Sequence, residues 1–239
     1  MGERNKIMEI RKLTPLKVIM AVLFVLAVVL TTFCATSCLQ KNSMTREEKL
    51  ARFIEENPRL QKNQIVFAGD SITEQYQLDR FYKDSSLDCY NRGISGDTTD
   101  NLLYRLQVSV LDIAPSKIVL TIGTNDINAG KSVGEIIENY QMIMELIVLN
   151  LPNTELYCVS IIPQNEKYSK NAYENNQRIK STNKEIERLS KEYNCEYVNL
   201  YENLVDKNGL LRKKYSRDGL HLNKKGYKVW TAVMNGFLF

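Results

Sequence analysis

Ser71 lies where an apolar, β-branched run ends, in the order Gly69, Asp70, Ser71. A strand that ends at Gly69 places the serine hydroxyl at the edge where open α/β sheets bind their ligands. On its own this pattern is a weak signal, because Asp and Ser are also common at the start of a helix. A nucleophilic serine needs three further parts: a base, an acid that orients the base, and donors for the oxyanion.

Asp218 and His221 have the residue types required for the acid and the base. His221 is the only histidine among the 239 residues, which excludes multi-histidine metal sites. Asp218 comes three positions earlier, so a single turn can place the two side chains next to each other. In that arrangement His221 takes the proton from Ser71, and Asp218 holds the imidazole in the required tautomer.

Three groups are candidate donors for an oxyanion hole: the backbone N–H groups of Ser71 and Gly93, and the side-chain amide of Asn125. Such donors must point to where negative charge develops in the transition state. Glycine at position 93 allows a close backbone approach. Taken singly, Gly93 fits an ordinary turn and Asn125 an ordinary cap. Their occurrence together in loops that follow strands favours the catalytic interpretation.

Alternating strands and helices predict an α/β domain with a parallel sheet and helices on both faces. The predicted strands are residues 65–68, 87–91, 117–122, 156–162 and 196–200. The predicted helices are residues 45–56, 72–78, 98–114, 133–149, 171–193 and 224–237. In such a sheet the loops after the strands open at one edge, which brings Ser71, Gly93 and Asn125 together.

Four segments give the chain a resemblance to the SGNH hydrolases, also called GDSL-type esterases. They are Gly69–Glu74, Asn91–Thr99, Gly123–Asp126 and Asp218–Asn223. The residues that match the family's functional positions are Ser71, Gly93, Asn125 and His221, with Asp218 as its acid. Within the family, the chain is most similar to the group that resembles platelet-activating-factor acetylhydrolase catalytic subunits, which remove short acyl groups.

The resemblance implies a three-layer α/β/α flavodoxin-like sandwich with a mainly parallel five-stranded sheet. It also implies ester hydrolysis through a serine, without a metal or an organic cofactor. We therefore predict a serine ester hydrolase that removes short acyl groups through an acyl-enzyme on Ser71. The expected substrate is an acetylated glycan or another small ester. A lysophospholipase or thioesterase acting on lipid-like esters and a non-catalytic binding module are the alternatives.

Residues 1–38 resemble a secretion signal, because basic residues precede an unbroken apolar run at 18–30. The sequence Ala35–Cys38 resembles a bacterial lipobox, in which Cys38 becomes lipidated. An uncleaved anchor is an open alternative, since residues 18–40 carry no charge and are long enough to span a bilayer. A plain cleaved signal is the third. All three predict an extracytoplasmic domain, and the first two attach it to a membrane.

The predicted organisation is a signal or anchor at 1–38, a linker and leading helix at 39–60, and a hydrolase domain at 61–239. The net charge is +4, but the first 37 residues carry five basic and two acidic side chains, so the remainder is nearly balanced. Without a basic stripe, nucleic acid is not an expected partner. The domain cysteines form no Cys-x-x-Cys pair, which disfavours a zinc or redox motif.

Overall fold

A five-stranded sheet forms the centre of the computed structural model, which describes residues 44–239. The predicted signal or anchor at 1–38, with Cys38, lies outside the described residues. The strands are β1 (Ile65–Gly69), β2 (Cys89–Gly93), β3 (Lys117–Thr121), β4 (Glu155–Val159) and β5 (Glu196–Val198). All neighbouring strands are parallel, in the order β2-β1-β3-β4-β5. This topology confirms the predicted fold class.

The helices fall between the strands, as the alternation predicts. They are α1 (Arg46–Glu56), α2 (Ser71–Glu74), α3 (Leu78–Phe81), α4 (Thr99–Ser109), α5 (Thr124–Asn128), α6 (Val133–Asn150), α7 (Ala172–Glu192), α8 (Tyr201–Leu204) and α9 (Lys224–Leu238). Short 3₁₀ turns cover Asn57–Arg59, Leu111–Ile113 and Lys213–Tyr215. Within the part of the chain that the structure describes, no helix has the length and apolar character needed to cross a membrane.

β1 shows how the three layers form. Val66 and Ala68 belong to the apolar cluster that includes α4, α6 and α7, whereas Ile65 and Phe67 belong to the cluster that includes α2, α3 and α9. Successive side chains of a strand point to opposite faces of the sheet. A strand that is covered on both faces must be apolar at every position, which explains the unbroken apolar run in the sequence.

The register of the central strands aligns their carboxyl ends. Gly69 at the end of β1 lies opposite Gly93 of β2 on one side and opposite Thr121 of β3 on the other. The chain adds β2 on one side of β1 and then returns to add β3 on the other. Such a switch point is where open α/β sheets form their ligand crevice. Ser71, Gly93 and Asn125 therefore all lie at this edge.

Several elements differ from the prediction in their bounds. β4 ends at Val159 and β5 at Val198, earlier than the predicted 162 and 200. The helix predicted at 98–114 ends at Ser109, and a 3₁₀ turn follows it.

Two further differences lie next to the candidate site. β2 begins and ends two residues later than predicted, at Cys89–Gly93, because pairing with β1 sets its register. The single helix predicted at 72–78 is two short helices, α2 and α3. The Asn91 side chain donates to the carbonyls of Thr73 and Tyr76 at 2.7 and 3.0 Å. Side-chain hydrogen bonds to these carbonyls accompany the break between the two helices.

Candidate active site

Ser71 is the first residue of α2 and is 8% exposed. Asp70 caps this helix: its carboxylate accepts the N–H of Ile72 at 2.8 Å. The first N–H groups of a helix have no acceptor within the helix. The N–H of Ser71 is one of these groups, and the positive end of the helix adds to its attraction for negative charge.

His221 lies in a loop that is ordered by its own hydrogen bonds. One carboxylate oxygen of Asp218, Oδ1, accepts the N–H groups of Leu220 and His221, each at 2.9 Å. The Ser216 hydroxyl oxygen accepts the N–H of Gly219 at 2.8 Å. These bonds form the turn that carries the imidazole. Because Asp218 and His221 are three residues apart, this single turn places their side chains next to each other, as the sequence predicts.

The structure brings Ser71, His221 and Asp218 into one hydrogen-bond chain. The Ser71 Oγ lies 2.9 Å from Nε2 of His221, and the His221 Nδ1 lies 2.7 Å from Oδ2 of Asp218. The serine and the histidine are 150 residues apart in the sequence. These are the contacts that a nucleophile, a base and an orienting acid require.

The charge of Asp218 determines the tautomer of the imidazole. Partial burial favours the neutral acid, but the hydrogen bonds from the His221 side chain and from the N–H groups of Leu220 and His221 outweigh it. They hold the pKa of Asp218 below its ordinary value. Because an ionised carboxylate only accepts, Nδ1 of His221 carries the proton. In the neutral ring, Nε2 is then free to accept the hydroxyl proton of Ser71.

The three candidate oxyanion donors differ in whether their hydrogens already have an acceptor. Asn125 donates one amide hydrogen to the carbonyl of Asp97 at 2.8 Å and keeps its second hydrogen. The N–H of Gly93 donates to the side-chain oxygen of Asn91 at 2.9 Å. The backbone of Gly93 does approach α2 closely, since a Cβ there would lie 2.2 Å from the nitrogen of Glu74. Within residues 44–239, the Ser71 N–H and the second amide hydrogen of Asn125 are therefore the candidate donors without an acceptor.

Asn91 is a residue whose importance sequence reasoning did not recognise. The NH₂ group of its side chain donates to backbone carbonyls at the end of α2 and just after it. The side-chain oxygen accepts the N–H of Gly93. One side chain thus joins the helix of Ser71 to the end of β2. A polar residue within a strand, two positions before a close-packed glycine, is the signal that could have identified it.

Arg105 is the second residue that sequence reasoning missed. Its guanidinium donates to the carbonyls of Gly69 and Arg92, both at 2.9 Å, and to the carboxylate of Asp97 at 2.6 Å. The side chain is 1% exposed. A buried charge requires hydrogen-bonding partners on all sides. Here these partners are the ends of β1 and β2 and Asp97, whose backbone carbonyl accepts from the side chain of Asn125.

Tyr227 of α9 supports the helix of Ser71 on the face of the sheet that α2 and α9 share. Its hydroxyl donates to the carbonyl of Ile72 at 2.7 Å. Its ring stacks on Tyr76 with 4.8 Å between the ring centroids, and on Trp230 of the same helix. The terminal helix and the nucleophile helix are thus connected by one hydrogen bond and a cluster of aromatic rings.

A flavodoxin-like sheet with a Ser-His-Asp hydrogen-bond chain at its carboxyl edge defines a class of serine hydrolases. A model of the GDSL-like Lipase/Acylhydrolase family matches residues 67–229, and the chain belongs to this family. It is accordingly a serine ester hydrolase, as the sequence predicts.

Similar proteins share most of the domain. The alpha2 subunit of platelet-activating factor acetylhydrolase IB from Rattus norvegicus is 29% identical over 169 residues, which is 68% of this chain and 70% of the relative. A solved structure from Streptococcus pneumonia, whose given name refers to platelet activating factor, is 31% identical with a TM-score of 0.76. The match covers 89% of this chain and 99% of the other. A GDSL-like lipase from Bacteroides thetaiotaomicron is 27% identical with a TM-score of 0.70, covering 78% and 95%.

Replacing Arg105 with methionine is expected to lower the free energy of unfolding by roughly 3–5 kcal/mol, because it removes one cation from the buried Asp97. The matched control is Arg188→Met on α7, whose ion pairs with Glu185 and Glu192 are on the surface. We expect this control to change stability by less than about 1 kcal/mol. Urea denaturation measures both, and equal losses would contradict the role assigned to Arg105.

Replacing Asp70 with asparagine is expected to change how stability depends on pH. Burial raises the pKa of Asp70 from 3.8 to about 7, although the Ile72 N–H and the charge of His221 oppose the shift. The folded chain therefore keeps a proton that the unfolded chain releases, and this contribution to stability is lost as pH rises from 3.8 to about 7.

Asparagine retains an acceptor for the Ile72 N–H but does not ionise. Between about pH 5 and pH 8, we expect the stability of Asp70→Asn relative to the wild type to increase by roughly 1–3 kcal/mol. Urea denaturation of both proteins across this range is the measurement. A stability difference that stays constant with pH would show that Asp70 is ionised throughout.

Proposed function

We propose that Ser71 is the nucleophile, His221 the general base and Asp218 the orienting acid in the hydrolysis of short acyl esters. The observation that carries this proposal is the continuous hydrogen-bond chain through the three side chains, at 2.9 and 2.7 Å. Three groups of these types in this order are the minimum that acyl transfer through serine requires.

In the proposed reaction, Ser71 Oγ attacks the ester carbonyl while Nε2 of His221 takes its proton. The carbonyl oxygen of the ester becomes negative at the N-terminus of α2, where the Ser71 N–H and the second amide hydrogen of Asn125 stabilise it. His221 then gives the proton to the leaving alcohol, which leaves an acyl group on Ser71. A water that His221 deprotonates attacks this acyl-enzyme, the bond between the acyl group and Oγ breaks, and His221 returns the proton to Ser71 as the acid is released.

We propose that the enzyme removes an acetyl or similarly short acyl group from its ester substrate. The name of the rat relative, platelet-activating factor acetylhydrolase, supports removal of acetyl from a lipid-like ester. An acetylated glycan or other small ester is the proposed substrate, with lipid-like esters of a lysophospholipase or thioesterase as the alternative. The name GDSL-like lipase, carried by the Bacteroides relative, supports that alternative.

The proposed location is extracytoplasmic, with attachment to a membrane through a lipid on Cys38 or through an uncleaved anchor. Its support is the basic, apolar and small-residue pattern of residues 1–38. A domain attached in this way would act on esters at the membrane or at the cell surface. Metabolic labelling with a palmitate analogue, comparing the wild type with Cys38→Ser, tests the lipid attachment.

The substitutions Ser71→Ala and His221→Ala are each expected to lower kcat for p-nitrophenyl acetate by roughly three decades or more, because the members of such a chain act as a unit. The matched control is Ser181→Ala on α7, whose hydroxyl donates to the carbonyl of Gln177 within its own helix. A fluorophosphonate probe should label the wild type at Ser71. Turnover near the wild-type value by Ser71→Ala, or an unlabelled wild type, would favour a binding module on the same fold.

A series of p-nitrophenyl esters from acetate to decanoate is expected to show the highest kcat/KM at acetate or propionate. Each added CH₂ group adds a constant apolar area that the acyl site can bury. The change of kcat/KM with acyl chain length therefore shows how long an acyl group the site accepts. A kcat/KM that rises steadily toward decanoate would contradict the proposal of short acyl groups and favour lipid-like substrates.

A further inference from the structure

A cleft of about 590 Å³ opens beside the imidazole of His221. His221 and Asp218 form part of its wall, and the aromatic rings of Phe81 and Tyr227 also line it. The residues that line it include none of the three candidate oxyanion donors. The cleft is therefore on the imidazole side of the hydrogen-bond chain.

Three cationic side chains line this cleft: Arg80 from α3, Arg217 from the loop of His221, and Lys224 from the first position of α9. Among the described residues none of the three forms an ion pair. The guanidinium of Arg80 donates to the neutral side chain of Gln77 at 3.3 Å. A helix near residue 80 and two adjoining segments at 217 and 224 thus bring three cations without ion pairs to the same concave surface.

The two carboxylates in the lining do not cancel these three cations. Glu74 forms an ion pair with Lys49 and accepts from the N–H of Ser95 at 2.7 Å. Asp218 keeps its negative charge and is bonded to the imidazole of His221. Three cations against one carboxylate without a cationic partner leave the cleft with a net positive charge, although the chain is nearly balanced outside its first 37 residues.

A second hollow next to the cleft is also lined by cations. It shares Arg80, Phe81 and Lys224 with the cleft and adds Lys228 from the next turn of α9. A ligand that is longer than one charged group would therefore find further cations along the same direction. The apolar side of such a ligand would contact the ring of Phe81, which lines both hollows.

The reaction geometry indicates which part of the ester enters this cleft. In the proposed mechanism His221 delivers a proton to the alcohol oxygen, so the alcohol part must leave on the imidazole side. We infer that the cleft binds an anionic group, a carboxylate or a phosphate, carried by the alcohol part of the ester. Arginine and lysine are the side chains that proteins use for both groups. This inference rests on the proposed function and adds the class of substrate to it.

Matched aryl acetates test the inference. The carboxylate pair is 4-acetoxybenzoate with its neutral amide, and the phosphate pair is 4-acetoxyphenyl phosphate with phenyl acetate. The measured quantity is the ratio of kcat/KM for the charged ester to kcat/KM for the neutral ester. Dividing the wild-type ratio by that of a variant cancels the intrinsic reactivity of the two leaving groups.

We expect Arg80→Gln, Arg217→Gln and Lys224→Gln each to lower this ratio by roughly 3- to 10-fold, and the triple variant to lower it further. Raising the salt from about 50 to 500 mM should lower the wild-type ratio as well, because exposed charges are screened. A larger effect on one pair identifies the carboxylate or the phosphate as the natural group. The matched control Lys191→Gln, a cation on α7, should leave the ratio unchanged.

A triple variant with the wild-type ratio for both pairs would overturn the inference, as would variants that lose activity equally toward charged and neutral esters. Binding without turnover provides the second measurement. Calorimetry should show tighter binding of phenyl phosphate than of phenol by the wild type, and loss of this difference in the triple variant. If the wild type hydrolyses no ester and Ser71 is unlabelled, the proposed function fails, whereas the calorimetry still decides on the anion site.

Discussion

The geometry of the catalytic edge depends on a single buried cation. Arg105 is almost completely removed from water, so its charge must be stabilised by protein acceptors. Those acceptors include the last carbonyl of β1, the carbonyl that precedes Gly93 in β2, and the carboxylate of Asp97 in the loop after β2. Because these three segments carry the candidate site, none of them can move without weakening the stabilisation of the charge. The edge of the sheet is thus fixed from inside the domain.

Ser71, the proposed nucleophile, also depends on contacts with other elements of the fold. The helix that begins at Ser71 has only four residues, too few for a helix to be stable by itself. Its carbonyls bond to Asn91 on one side and to the hydroxyl of Tyr227 on the other. The position of the serine hydroxyl is therefore determined by tertiary contacts. Two neighbouring elements, β2 and α9, determine it together.

Much of this arrangement was predictable from the sequence. The alternation of elements predicted the parallel sheet, and the residue types and spacing predicted that Ser71, Asp218 and His221 would meet. What the sequence did not reveal depends on the backbone carbonyls that a side chain meets after folding. Arg105 lies on an amphipathic helix, where an arginine usually faces water, and Asn91 differs in no visible way from the other polar residues of its motif. The sequence likewise does not indicate that the side chain of Asn91 accepts the N–H of Gly93.

The distance of 150 residues between the hydroxyl and its imidazole has a consequence for biosynthesis. Because a ribosome makes the chain from its N-terminus, Ser71 is synthesised well before His221. Until residue 221 has been added, the growing polypeptide carries the hydroxyl of Ser71 without the imidazole that lies 2.9 Å from it in the folded domain. The long separation in sequence thus keeps the hydroxyl apart from its partner during most of the synthesis of the domain.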